Sequence, residues 1–170
     1  LVIGTYGRGI WILDDLSPIQ QLSEQVTKKS IHLFDIKSSY RFQNVTSTLQ
    51  MFPEASTGQD PPSGASLNYW LDDAKDVEIV ITNSEKDTVK TISDKGKKGI
   101  NRVWWNFMCE KSDAMVMRTK PLYADWFSIG DDRERNVPSS ISIMQPPGKY
   151  KVSVVSGGVS SIKELEVIKD

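Results

Sequence analysis

The strongest constraint on this chain is the two-residue rhythm of its apolar side chains from Ala65 onward. Leu67, Tyr69 and Leu71 alternate with polar or outward-facing positions, as do Val77, Ile79 and Ile81, and then Tyr150, Val152 and Val154. Side chains on a strand point to opposite faces in turn, so each run describes a strand with one buried and one wet face. Val89 and Ile92 mark a further strand, and 101–107 is another because Val103, Trp104, Trp105 and Phe107 are β-branched or aromatic. Turn-forming residues separate the runs: 95–99 (Lys-Gly-Lys-Lys-Gly), Pro146-Pro147-Gly148 ahead of the strand that carries Tyr150, and Gly157-Gly158 before a last strand over about 159–168. In that last strand the apolar alternation slips once, which predicts a bulge. Short strands at close spacing with no helical period between them predict an all-β sandwich.

Upstream the pattern differs. Residues 1–3 and 10–13 are β-rich runs around a glycine-punctuated turn and predict a hairpin. Residues 19–26 place Ile19, Leu22 and Val26 at helical spacing, with Ser17 as the expected N-cap. Two short β-prone runs, 31–34 and 40–42, precede a polar stretch with Pro53, Gly58, Pro61, Pro62 and Gly64 that has the composition of a linker. This divides the chain into a hairpin at 1–15, a connecting segment at 16–63, and a sandwich at 64–170 with an insertion at about 108–145. A structureless loop of that length is unusual in a compact domain, so the insertion is expected to hold an additional element or a binding surface. It is rich in large apolar groups, among them Met115, Met117, Leu122, Tyr123, Trp126, Phe127 and Met144.

Charge excludes one class of function. The 21 Lys and Arg are balanced by 22 Asp and Glu, which leaves none of the basic excess that binding to a phosphate backbone requires. No apolar run is long enough to span a bilayer. The glycines Gly4-x-x-Gly7-x-Gly9 are followed by a strand rather than a helix N-terminus and lack Gly-Lys-Ser/Thr, so they form a structural turn rather than a phosphate cradle. His32 is the sole histidine and Cys109 the sole cysteine. Mechanisms that need two histidines, an internal disulfide or a Cys/His metal cluster are thereby removed. The carboxylate pairs Asp14/Asp15, Asp72/Asp73 and Asp131/Asp132 with Glu134 match no calcium loop and are expected to be solvated turn residues. Asn44-Val45-Thr46 fits the glycosylation triplet. No catalytic residue, cofactor site or metal site is expected.

The aromatic residues are the remaining functional signal. Trp104 and Trp105 are adjacent on a strand, so one of them faces away from the core. Exposed indoles stack on sugar rings, which makes Trp104, Trp105, Tyr123, Trp126 and Phe127 candidates for contact with a glycan or a partner. Large indoles are usually largely buried, which favours the competing expectation that both strand indoles are covered, one by the core and the other by the insertion or a neighbouring domain.

A resemblance places these pieces. The opening run, Leu1-Val2-Ile3-Gly4-Thr5-Tyr6-Gly7-Arg8-Gly9-Ile10-Trp11-Ile12-Leu13-Asp14-Asp15, resembles the closing blade of BNR-repeat, sialidase-like and sortilin-type β-propellers, where a G-T-x-G-R-G string followed by apolar residues and L-D-D is typical. Gly64-Ala65, Tyr69-Trp70-Leu71, the strand over 77–81, Gly99-x-Asn101-Arg102-Val103-x-Trp105 and Pro147-Gly148-Lys149-Tyr150 resemble the immunoglobulin-like module that follows the propeller in bacterial proteins of that group, similar to the one in flagellar hook-capping proteins. The resemblance implies an immunoglobulin-like accessory domain of a secreted, periplasmic or cell-surface glycoside hydrolase or sialidase-like protein, with the propeller itself as partner. It transfers no activity: the S-x-D-x-G-x-T-W box, the arginine cluster and the nucleophilic tyrosine of sialidases are absent from this chain. Residues 1–15 then correspond to a remnant of the last blade, with unpaired edges that must fold onto the sandwich or drive self-association.

Overall fold

The computed structural model describes residues 1–7, 9–13, 15–42, 62–113 and 140–170. The chain is all-β with a sandwich core. It opens with β1 (Val2–Thr5) and β2 (Gly9–Ile12), an antiparallel hairpin in register from Val2↔Ile12 to Thr5↔Gly9. Two short helical turns follow, α1 (Ser17–Gln21) and α2 (Glu24–Thr27). The single helix expected over 19–26 is therefore broken at Leu22, which is extended. Ser17 is not the cap: it lies inside α1, and the Asp15 carboxylate accepts from its N–H (3.0 Å) and hydroxyl (2.7 Å). The residue that caps is Ser23, whose Oγ accepts from the N–H of Val26 at the start of α2.

Eight strands build the sandwich: β3 (Ile31–Leu33), β4 (Ser39–Arg41), β5 (Ala65–Leu71), β6 (Lys75–Thr82), β7 (Thr88–Gly96), β8 (Gly99–Trp105), β9 (Gly148–Ser156) and β10 (Val159–Lys169). One sheet has the order β3-β5-β8, the other β4-β10-β9-β6-β7. Neighbours pair antiparallel except β4, which runs parallel to β10. The two β-prone runs that the sequence leaves in a connecting segment are thus sheet members. They are three residues each, too short to show a period, and earn their place by long-range pairing. Between them the chain passes from one sheet to the other, and three contacts fasten the crossing to β10: Leu33 N–H donates to Ser161 Oγ (2.9 Å), Ser38 donates to Glu166, and Lys163 pairs with Asp35.

The alternating residues read from the sequence meet between the sheets. Leu67, Tyr69 and Leu71 face Val77, Ile79, Ile81, Val152, Val154 and Leu165, all buried, and Trp105 and Tyr150 close one end with their rings 5.2 Å apart. Gly64 enters this end with φ +123, and a Cβ there would lie 2.1 Å from the Trp105 carbonyl oxygen, so only glycine fits the approach. The β9–β10 hairpin turns on Gly157 and Gly158, both at positive φ. The expected bulge in the last strand is absent. β10 pairs with β9 without a break, and Ile162 simply faces solvent while Ser161 takes the inward position. The register shift occurs instead between Ile81 and Thr82, where β6 meets β7.

The insertion begins as a paired stem. Met108 bridges Met144, Cys109 N–H donates to Ile143 C=O (2.9 Å), and Ser112 N–H donates to Ile141 C=O (2.9 Å). Glu110 ties one leg to β7 through its N–H to Val89 C=O (2.8 Å) and its carboxylate to Lys90 (2.9 Å). Among the described residues, no helix is long and apolar enough to cross a membrane.

Candidate functional site

The outer face of the β3-β5-β8 sheet gathers most of the unusual side chains. Because the inward positions of β5 and β8 are odd-numbered, Asn68 and Trp70 on β5 and Ile100, Arg102 and Trp104 on β8 project from the opposite face. Asn68 is buried, at 5% exposure, and is held from both sides: Arg102 Nε donates to its Oδ1 (2.7 Å), and its Nδ2 donates to Asp15 Oδ2 (3.3 Å). Asp15 also forms an ion pair with Lys37 (2.8 Å). Burial is the largest single influence on this carboxyl and raises its pKa, but the hydrogen bonds from Lys37 and Ser17 together outweigh it and leave the value lowered to about 2. Asp15 is therefore a partly buried network member rather than the solvated turn residue expected from its pairing with Asp14, which lies outside the described residues.

The two strand tryptophans have opposite fates. Trp105 is 1% exposed, its indole N–H donates to Met108 C=O (3.0 Å), and its ring meets Phe107 edge-on; no ligand can reach it. Trp104 is 36% exposed beside Arg102 on the outer face. Tyr123, Trp126 and Phe127 lie outside the described residues, as do Asn44-Val45-Thr46 and Asp131, Asp132 and Glu134. Asp72 and Asp73 are exposed turn residues, Asp72 paired with Lys75 (2.7 Å).

The hairpin is the second unusual surface. Leu1, Val2, Ile3, Ile10, Trp11, Ile12 and Leu13 are all exposed, Ile10 at 72% and Trp11 at 70%. Trp11 thus joins Trp104 as an exposed strand indole, and its place between Ile10 and Ile12 is the sequence signal for it.

Among the described residues, the side chains of His32, Cys109 and Tyr69 have separate partners. His32 stacks edge-on against Phe34 (5.4 Å), and burial, then the charges of Lys29 and Lys163, push its pKa below the ordinary value. Cys109 sits half-buried in the stem, its Sγ accepting from Ile143 N–H (3.1 Å). Tyr69 donates to Asp94 (2.6 Å) inside the sandwich, and burial together with that carboxylate pushes its phenol well above the usual range. An open groove of about 580 Å³ over the ends of β6, β7 and β9 is lined by Asp76, Glu78, Ser93, Asp94, Lys95 and Ser156; the Ser156 hydroxyl donates to Asp76 C=O (2.8 Å), and Asp94 accepts from Tyr69. Among the described residues no group of three His, Cys, Asp or Glu side chains converges as metal ligands would. No family model, curated protein or solved structure matches the chain.

Proposed function

We propose that this chain is a non-catalytic accessory module: an immunoglobulin-like domain that follows the closing blade of a BNR-repeat, sialidase-like propeller and serves structural or interaction roles in a secreted or cell-surface glycoside hydrolase-type protein. The observation that carries the reading is the β1–β2 hairpin. Two four-residue strands with apolar side chains open on both faces are marginal alone and suit incorporation into a larger sheet. They coincide with the residues that resemble a propeller's closing blade, which makes the propeller the expected partner.

Two features favour the immunoglobulin-like reading of the sandwich. Taking the sandwich strands in chain order as A, A′, B, C, C′, E, F and G, the sheets are A-B-E and A′-G-F-C-C′, the division found in immunoglobulin-like folds. Tyr150, near the start of the strand corresponding to F, donates its hydroxyl back to Pro146 C=O four residues upstream, as in a tyrosine corner.

The exposure of Trp104 favours a second reading, a carbohydrate-binding module. Titration with glycans, sialosides included, separates the two: the accessory role predicts no change in tryptophan fluorescence, whereas a saturable change abolished by Trp104→Ala would replace it with glycan binding. Reproducible glycosidase turnover by the 170-residue chain would overturn both.

A further inference from the structure

Among the described residues, the backbone of β8 has one side without a partner. Asn68 C=O accepts from Phe34 N–H (3.1 Å) and Asp72 N–H donates to Ser30 C=O (3.3 Å), so the even residues of β5 aim their backbone groups toward β3. Backbone groups alternate sides along a strand, and the odd residues Leu67 and Tyr69 therefore bond with Val103 and Asn101 opposite them. It follows that the N–H and C=O groups of Ile100, Arg102 and Trp104 point to the far side of β8. That side is the edge of its sheet among the described residues.

The side chains of the same three residues lie on the outer face, Ile100 40% exposed and Trp104 close behind it. Arg102 between them is exposed and forms no ion pair among the described residues, while its Nε bond to Asn68 fixes the guanidinium in place. An open strand edge is normally blunted by a short length, a bulge, a proline, a covering segment or a charged side chain; β8 is seven residues long without bulge or proline, and its one charge, Arg102, disfavours pairing with a basic or apolar strand while leaving the edge open to an acidic one.

We propose that β8 is a strand-addition site for an extended partner segment with an acidic side chain two residues from an apolar one on each side. Main-chain bonds to Ile100, Arg102 and Trp104 supply the affinity, the carboxylate meets the fixed guanidinium of Arg102, and the apolar groups cover Ile100 and Trp104. The site is independent of the propeller reading, because it lies on the sandwich and uses no hairpin residue.

The test uses the whole chain and the peptide Thr-Val-Thr-Glu-Thr-Val-Thr, with its Glu→Lys counterpart as control. Amide hydrogen exchange is followed at Ile100, Arg102 and Trp104. Those three amides are expected to exchange freely alone and to slow at least tenfold with the acidic peptide, but not with the lysine peptide. Arg102→Glu is expected to reverse the peptide preference. Ile100→Pro removes one edge-facing donor without breaking a bond to β5, so it is expected to leave the thermal midpoint nearly unchanged while weakening binding. The proposal is overturned if the three amides are already protected in the free chain, if the acidic peptide leaves their exchange unchanged, or if both peptides slow it equally. It is also overturned if Ile100→Pro folds and binds normally. Sugar stacking on Trp104 alone would alter fluorescence without slowing these amides.

Discussion

Asp15 shows how much a single polar side chain does at the junction between hairpin and sandwich. Its carboxylate joins Ser17, Lys37 and Asn68, and its pKa is lowered from 3.8 to about 2. A depressed carboxyl pKa contributes stability that is present above the unfolded value and is lost as pH falls through the folded one. Asp15→Asn is therefore expected to cost about 1–2 kcal/mol at pH 7, with the difference from wild type shrinking between about pH 4 and 2; urea unfolding at several pH values measures it. Tyr69 works in the opposite direction. Its raised phenol pKa adds stability that is complete below the unfolded value of 10.0 and lost as pH climbs beyond it. Tyr69→Phe leaves the inward-facing oxygen of Asp94 without its donor and is expected to cost about 1–3 kcal/mol in a neutral-pH melt, with a weaker alkaline dependence than wild type. The neighbouring tryptophans should separate widely in the same assay: about 3–5 kcal/mol for Trp105→Ala at the core, and under about 1 kcal/mol for Trp104→Ala on the face.

At the level of elements, what could be read from sequence depended on where the information was stored. β5, β6 and β9 announce themselves because an inward residue recurs every second position over seven residues or more. β3 and β4 do not, because a three-residue strand has no measurable period and is held by partners more than thirty residues away. The break between α1 and α2 was hidden for a related reason: Ile19, Leu22 and Val26 fit helical spacing, while Ser23 competed as a second cap. On the candidate site, adjacency on a strand was enough to predict that only one of Trp104 and Trp105 could face the core. Nothing in the string indicated that Asp15 would meet Asn68, since 53 residues separate them and the contact exists only once both sheets are formed. The hairpin yields its own prediction. Removal of residues 1–13, which spares Asp15, is expected to leave the thermal midpoint within about 2 °C of that of the intact chain at concentrations where the intact chain is monomeric, because side chains that are exposed contribute little to the core.

For the whole molecule, the sandwich is complete in its interior and incomplete at two margins. The core closes between two sheets stitched together by the β3–β4 crossing, while the β1–β2 hairpin and the edge of β8 present strand surfaces without partners among the described residues. Such margins suit pairing with further strands. The measurement that bears most directly on this account is sedimentation velocity of the intact chain and of the chain lacking residues 1–13, across a hundredfold range of concentration. The exposed hairpin faces should drive concentration-dependent self-association of the intact chain, and the shortened chain should stay monomeric. An intact chain that remains monomeric throughout, with the same sedimentation behaviour as the shortened one, would contradict the claim that the hairpin is built to be completed by other strands.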